Sequence, residues 1–166
     1  MASDSSFDIV SEVNMQELDN AIVQAQKEIV QRYDFRGSSA SVSELDKKEK
    51  LLTLTADNEP QLEAVVQVLI SKMIKRGVDA KVLDRQKVEA ATHNTLRQKI
   101  KLKSGIDRDT AKALQKQIKE LGLKVNPSIQ GESLRVSSPK KDDLQAVMAA
   151  IRAKPPAIPV QFNNYR

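Results

Sequence analysis

The chain has 166 residues, with 27 Lys and Arg against 22 Asp and Glu, and a formal net charge of +5. It contains no cysteine, which excludes disulfides, thiolate nucleophiles and cysteine-ligated metal sites. No apolar run approaches the ~20 residues of a membrane helix, and the polar start lacks a signal-peptide pattern, so we expect a cytoplasmic location.

The first half of the chain alternates between strand-like and helix-like patterns. Apolar residues at every second position predict strands, and apolar residues three and four positions apart predict helices. The predicted order is a strand over residues 7–13, a helix from Asn14 to about Tyr33, a hairpin over 40–56, a helix opened by Glu59-Pro60 and closed by Gly77, and a strand near 81–84.

The second half repeats this order of elements. The predicted elements are a strand over 96–103, a helix capped by Asp107 and ended by Gly122, a hairpin over 125–137, a helix capped by Ser138-Pro139, and a strand over 160–165. Each half thus predicts β-α-β-β-α-β, the ferredoxin-like arrangement of an antiparallel sheet with two helices on one face. The fold class we expect is therefore α+β with two ferredoxin-like domains.

The polar segment 85–94 predicts a linker that divides the chain into domains 1–90 and 91–166. Residues 1–80 carry 9 Lys and Arg against 14 Asp and Glu, whereas residues 81–166 carry 18 against 8. An acidic first domain and a basic second domain are therefore expected, and the basic one suits an anionic partner; mutual attraction of the two halves is the alternative. The N-terminal strand could also pair in the second sheet, since chain termini often lie close together.

The strand predicted over residues 96–103 is the main candidate binding site. Its alternation turns the apolar residues toward the helices and the cations toward the open face of the second sheet. With contributions from the third and last strands, the candidate nucleotide-binding residues are Arg97, Lys99, Lys101, Lys103, Arg135 and Tyr165. Cations beside amide and hydroxyl groups and an aromatic ring suit a ligand with phosphates and a base, although a solvated sheet face would have a similar composition.

The open face expected for the first domain has a different character. This face is mildly acidic and partly apolar, so it suits packing against the other domain better than phosphate binding. Its residues are Asp8, Val10, Glu12, Leu51, Thr53 and Thr55. Glycines never form a dinucleotide-binding or P-loop motif, and no acid–base pair stands out, so we expect neither catalysis nor a cofactor. The predicted third strands lack the stacking aromatics of RNA-recognition domains.

Several segments resemble the bacterial YajQ family. They are FDIVSEV over residues 7–13, YDFRG over 33–37, SIQGESLRV over 128–136, DDLQAVMA over 142–149 and QFNNYR over 161–166. The resemblance implies a cytoplasmic bacterial protein with two ferredoxin-like domains that binds nucleotides, with cyclic di-GMP and RNA as proposed ligands. The resemblance implies no catalytic residues and assigns no individual binding residues.

These patterns together predict a non-catalytic nucleotide-binding protein that uses a basic open sheet face. Cyclic di-GMP sensing in a regulatory role is the first hypothesis. A general RNA-binding protein and a protein–protein interaction module are the alternatives. We expect neither a membrane nor a metal ion among its partners.

Overall fold

The computed structural model describes residues 4–166, which form two compact units. The inserted unit is the continuous segment 13–103, and the outer unit combines residues 4–12 with residues 104–166. Each unit has its own antiparallel sheet and its own apolar core. The chain therefore leaves the outer unit after one strand, completes the inserted unit, and returns.

Apart from a short strand at Glu89–Ala90, which lies in the predicted linker, the elements follow one another in the order that the sequence pattern predicts. They are β1 (Ser5–Val10), α1 (Met15–Gln31), β2 (Ser41–Val42), β3 (Leu51–Ala56), α2 (Glu59–Lys75), β4 (Leu83–Arg85), β5 (Glu89–Ala90), β6 (Leu96–Leu102), α3 (Arg108–Lys119), β7 (Asn126–Gln130), β8 (Ser133–Ser138), α4 (Lys141–Ala153) and β9 (Gln161–Asn163).

Helices α1 and α3 begin at the side-chain caps that the sequence predicts. The predicted cap of α4 at Ser138-Pro139 is wrong, because α4 begins after Lys140, which makes no side-chain capping bond. The Asn14 carboxamide oxygen accepts a hydrogen bond from the Glu17 N–H at 3.1 Å, and the Asp107 carboxylate accepts one from the Thr110 N–H at 3.3 Å. Gly77 follows α2 with φ +74°, a left-handed conformation that glycine adopts without steric strain. These local signals fix the ends of the elements without any tertiary contact.

The outer unit has the ferredoxin-like order β-α-β-β-α-β in β1, α3, β7, β8, α4 and β9. Its sheet order is β7-β8-β1-β9, with β1 antiparallel to both neighbours. Phe7 lies opposite Val136 and Ile9 opposite Leu134, and all four are fully buried. The N-terminal strand is therefore central to the sheet that the C-terminal half builds.

The inserted unit has the same sheet order with a permuted chain. Its strands lie in the order β2-β3-β6-β4, and the short β5 also pairs with β6. The position that β1 occupies in the outer sheet is taken here by β6, the last strand of the unit. Leu52 lies opposite Ile100, and both are buried with the apolar residues of α1 and α2.

The predicted fold class is confirmed, but the predicted domains 1–90 and 91–166 are wrong in the placement of two strands. β1 belongs with the second half of the chain, and β6 belongs with the first. The predicted linker over residues 85–94 contains β5, which pairs with β6 inside the inserted unit. The possibility that the N-terminal strand pairs in the second sheet is the one observed.

This pairing also removes the expected contrast between an acidic and a basic domain. The inserted unit has 16 Lys and Arg against 13 Asp and Glu, and the outer unit has 11 against 9. The exchange of β1 and β6 between the two predicted domains has an electrostatic reason. Asp8 on β1 lies opposite Arg135 on β8, whereas β6 in that position would bring its lysines beside Arg135, and like charges on facing strands are destabilising.

Candidate functional site

Three cations line the open face of the inserted sheet. On β6 the side chains of Arg97, Lys99 and Lys101 are exposed, whereas Gln98 and Ile100 between them are buried. The predicted alternation of this strand is therefore confirmed. On the neighbouring β3, the residues opposite the three cations are Thr55, Thr53 and Leu51 respectively. We define these six residues as the basic face.

The spacing of the strand sets the dimensions of the basic face. Side chains on one face of a strand recur about 7 Å apart, so Arg97 and Lys101 are separated by about 13 Å along β6. The cations form a row rather than a cluster. A ligand that carries more than one phosphate can therefore contact two of them at once.

Acidic residues lie beside both ends of this row, and one of them forms an ion pair with Arg97. Arg97 Nη2 lies 3.2 Å from a carboxylate oxygen of Glu89 on β5, and both side chains are about half exposed. Asp84 on β4 is the register partner of Lys101. Lys99 forms no ion pair within residues 4–166. Its ammonium group lies between two like charges, an arrangement that a bound anion would stabilise.

Lys103 lies beyond the end of the basic face. It follows the last residue of β6 and is partly buried. Its backbone N–H donates to the Val82 carbonyl at 2.8 Å, which holds the chain as it leaves the inserted unit. The structure therefore separates Lys103 from the regular row of Arg97, Lys99 and Lys101.

Arg135 lies in the outer unit, on the open face of a different sheet from β6. Its guanidinium donates from Nε to Asp8 Oδ1 at 2.9 Å and from Nη2 to Oδ2 at 3.4 Å. The Asp8 side chain is buried, and Asn164 Nδ2 donates to it at 2.9 Å. Hydrogen bonding from Arg135, assisted by Asn164, holds the pKa of Asp8 below its usual value although burial opposes this shift.

Tyr165 lies on the opposite side of the outer sheet, among the residues that pack toward the helices. Its ring stacks on Phe7 with 6.2 Å between centroids, and its hydroxyl donates to Met148 Sδ at 3.2 Å. The predicted placement of Arg135 and Tyr165 on the same sheet face as the lysines is therefore wrong. Of the six candidate residues, Arg97, Lys99 and Lys101 lie on the basic face, and Lys103 lies just past its end. Arg135 and Tyr165 lie on opposite sides of the outer sheet.

Sequence reasoning missed the carboxylates beside the basic face. Glu89 lies in the segment assigned to a linker, so its pairing with Arg97 was not expected. Thr53 and Thr55 were assigned to an acidic face because β1 was placed beside β3. The charge complementarity of Asp8 and Arg135 was a signal for the true pairing of β1.

Metal-binding groups and membrane-spanning helices are both missing from the part of the chain that the structure describes. Within residues 4–166, no three His, Asp or Glu side chains are grouped as a metal ion would require. None of the helices in the same residues has the length and apolar character needed to cross a bilayer.

Comparison with known proteins gives full-length matches. A family model described as nucleotide-binding protein YajQ-like matches residues 5–166. A nucleotide-binding protein of Chloroherpeton thalassium is 48% identical over 166 residues, with both chains covered completely. Nucleotide-binding proteins of Bacillus cereus and of Carboxydothermus hydrogenoformans are each 52% identical, again over the whole of both chains. The similarity therefore includes both units.

Proposed function

The chain belongs to the YajQ-like family, and we propose from this that it is a non-catalytic nucleotide-binding protein whose basic face contacts the phosphates of the ligand. The names of the relatives support the class of ligand. The row of Arg97, Lys99 and Lys101 is the observation that supports the location. An anion at its centre would relieve the repulsion between these cations and would meet the Thr53 side chain opposite Lys99.

A cyclic dinucleotide such as cyclic di-GMP is the first candidate ligand. It carries two phosphates, and two neighbouring cations about 7 Å apart can each contact one of them. Binding of a small nucleotide to a protein without catalytic activity suits a regulatory role. The regulator would respond to the concentration of the ligand by mass action.

Single-stranded RNA is the second candidate, and the exposure of the row favours it. Three cations along about 13 Å of open sheet can contact successive phosphates of an extended backbone. The five aromatic residues lie elsewhere, at positions 7, 33, 35, 162 and 165. Without stacking platforms on the basic face, RNA would be held through its backbone and with little sequence preference.

A double substitution of the two lysines tests the proposed location. Lys99→Ala/Lys101→Ala should weaken binding of the ligand that wild type prefers, because both lysines are proposed to bind phosphates. For single-stranded RNA, the slope of log affinity against log salt should fall by about 0.7 for each phosphate that the variant no longer neutralises. Titrations of cyclic di-GMP and of a short single-stranded RNA at two salt concentrations measure both effects.

The matched control removes two exposed lysines of α3 in the outer unit. Lys112→Ala/Lys116→Ala has the same net charge as the test variant and should bind as wild type does. Saturable binding of cyclic di-GMP would support the regulator, and binding of RNA alone would support the second candidate. Equal affinities and salt slopes for wild type and the β6 variant would contradict the basic face, and binding of neither ligand would favour a protein partner.

The absence of catalysis is a separate part of the proposal. It is supported by a sequence without a phosphate-binding loop or a cysteine nucleophile. Pure protein incubated with mono-, di- and cyclic nucleotides should return them unchanged. Reproducible turnover that disappears on substitution of one carboxylate would contradict this part.

A further inference from the structure

The outer unit contains a cleft on the side of its sheet away from Asp8 and Arg135. The cleft lies between the first two turns of α4, the start of β1 and the residues that follow β9, and its volume is about 330 Å³. This volume is at the lower end of the ~300–1,000 Å³ typical of small-molecule sites. The lining residues are Ser5, Ser6, Lys141, Leu144, Gln145, Met148, Tyr165 and Arg166.

The structure holds the Tyr165 ring in place while leaving it 61% exposed. Phe7 supports the ring at an interplanar angle of 26°, and the hydroxyl is bonded to Met148 Sδ. The next residue is fixed to β1, because Arg166 and Ser6 exchange backbone hydrogen bonds of 3.1 and 2.9 Å. The cleft therefore has a preformed flat aromatic surface, and a ligand need not order it on binding.

The polar groups of the cleft suit the other parts of a nucleotide. Lys141 provides a cation at the amino end of α4, where Lys140 makes no side-chain capping bond. Partial positive charge at the amino end of α4 attracts an anion, and Asp142 and Asp143 in the same turn oppose part of this attraction, so the phosphate contact depends on the Lys141 ammonium group. Ser5 and Gln145 add hydroxyl and amide groups, and Leu144 and Met148 form an apolar floor. No carboxylate side chain lines this cleft in residues 4–166.

We propose that this cleft is a second ligand site, which binds a single nucleotide with its base stacked on Tyr165 and its phosphate at Lys141. The site is separate from the basic face and lies in the other unit. The class of its ligand rests on the proposed nucleotide binding, whereas its location rests on the fixed aromatic ring, the cation and the volume of the open cleft.

Tyrosine fluorescence offers a direct readout, because the protein has no tryptophan and only two tyrosines. In Tyr33→Phe, Tyr165 is the one remaining fluorophore, and a stacked base should quench it. In Tyr165→Phe, the ring and the site persist, but the reporter is the exposed Tyr33 outside the cleft. Titration with GMP and AMP should therefore quench Tyr33→Phe saturably, whereas Tyr165→Phe should show only the absorbance of the nucleotide. Superimposable traces from the two variants would overturn the proposal.

Calorimetry then tests the two contacts separately. Lys141→Ala should weaken GMP binding about tenfold and leave the weaker binding of guanosine unchanged, since guanosine has no phosphate. Tyr165→Leu should weaken both by about tenfold or more, because the base can no longer stack on an aromatic ring. An unchanged affinity of Lys141→Ala for GMP would overturn the assignment of the phosphate.

The Lys99→Ala/Lys101→Ala variant distinguishes this proposal from that of the basic face. If GMP quenching in the Tyr33→Phe background persists after the double substitution, the cleft is supported. If quenching disappears, the mononucleotide binds at the basic face and the cleft proposal is overturned. If quenching persists and the affinities for cyclic di-GMP and RNA are also unchanged by the double substitution, the proposal of the basic face is contradicted and that of the cleft is supported.

Discussion

At the scale of single residues, Lys99 is the position on which the proposed function depends most. It is exposed, lies between two other cations and has no ion pair within residues 4–166. Lys99→Glu should reduce nucleotide affinity about tenfold or more, because it replaces an attraction for phosphate with a repulsion. The melting temperature should change little, since exposed charges contribute little to folding. Titration and thermal unfolding measure the two effects, and Lys99→Arg, which keeps the charge, should bind as wild type does.

The buried carboxylate of Asp8 predicts a pH dependence of stability. Because Arg135 lowers the pKa of Asp8 in the folded protein, the ionised form stabilises the outer unit fully above the ordinary value of 3.8. This contribution is lost as the pH falls through the lowered pKa of the folded state. Asp8→Asn should cost about 2 kcal/mol at pH 7, the scale of a hydrogen bond to a charged group. Denaturant unfolding at pH 7 and pH 3 should find this difference smaller at pH 3, and a difference that does not narrow would contradict the account.

At the scale of elements, the sequence was informative about local structure and about which side of each strand is buried. The four helices, the caps of α1 and α3 and the alternation of Gln98, Ile100 and Leu102 against the cations follow from patterns within a few residues. The sheet that each strand joins does not follow from such local patterns. β1 and β6 both alternate, and the choice between them depends on contacts such as that of Asp8 with Arg135, 127 residues away. No local periodicity contains that information.

The exchange of β1 and β6 predicts which fragments of the chain can fold. A fragment of residues 13–103 contains every strand and helix of the inserted unit, so it should fold alone. A fragment of residues 1–90 lacks β6, whose Ile100 is fully buried between β3 and β4, and it should remain largely unfolded. Circular dichroism and cooperative urea unfolding of the two fragments test this. If the 1–90 fragment folds and the 13–103 fragment does not, the result would contradict the exchange and support the domain boundary expected from the sequence.

At the scale of the whole molecule, the same exchange explains which parts of the site the sequence could predict. The row Arg97, Lys99 and Lys101 was predictable, because it lies on one strand and its common orientation follows from period two. The addition of Arg135 and Tyr165 assumed that β6 lies beside β8. In the structure these two residues belong to the outer unit. The net positive charge of that unit is similar to the net positive charge of the inserted unit.

Mapping of amide chemical shifts is the most direct measurement of whether the basic face binds the ligand. The spectrum of the full chain would be recorded with cyclic di-GMP and, separately, with a short single-stranded RNA. The account predicts that the largest changes for the bound ligand lie on β6 and β3, centred on Lys99 and Thr53, and that they disappear in Lys99→Ala/Lys101→Ala. Binding of either ligand with changes confined to other residues, while β3 and β6 stay unperturbed, would contradict it.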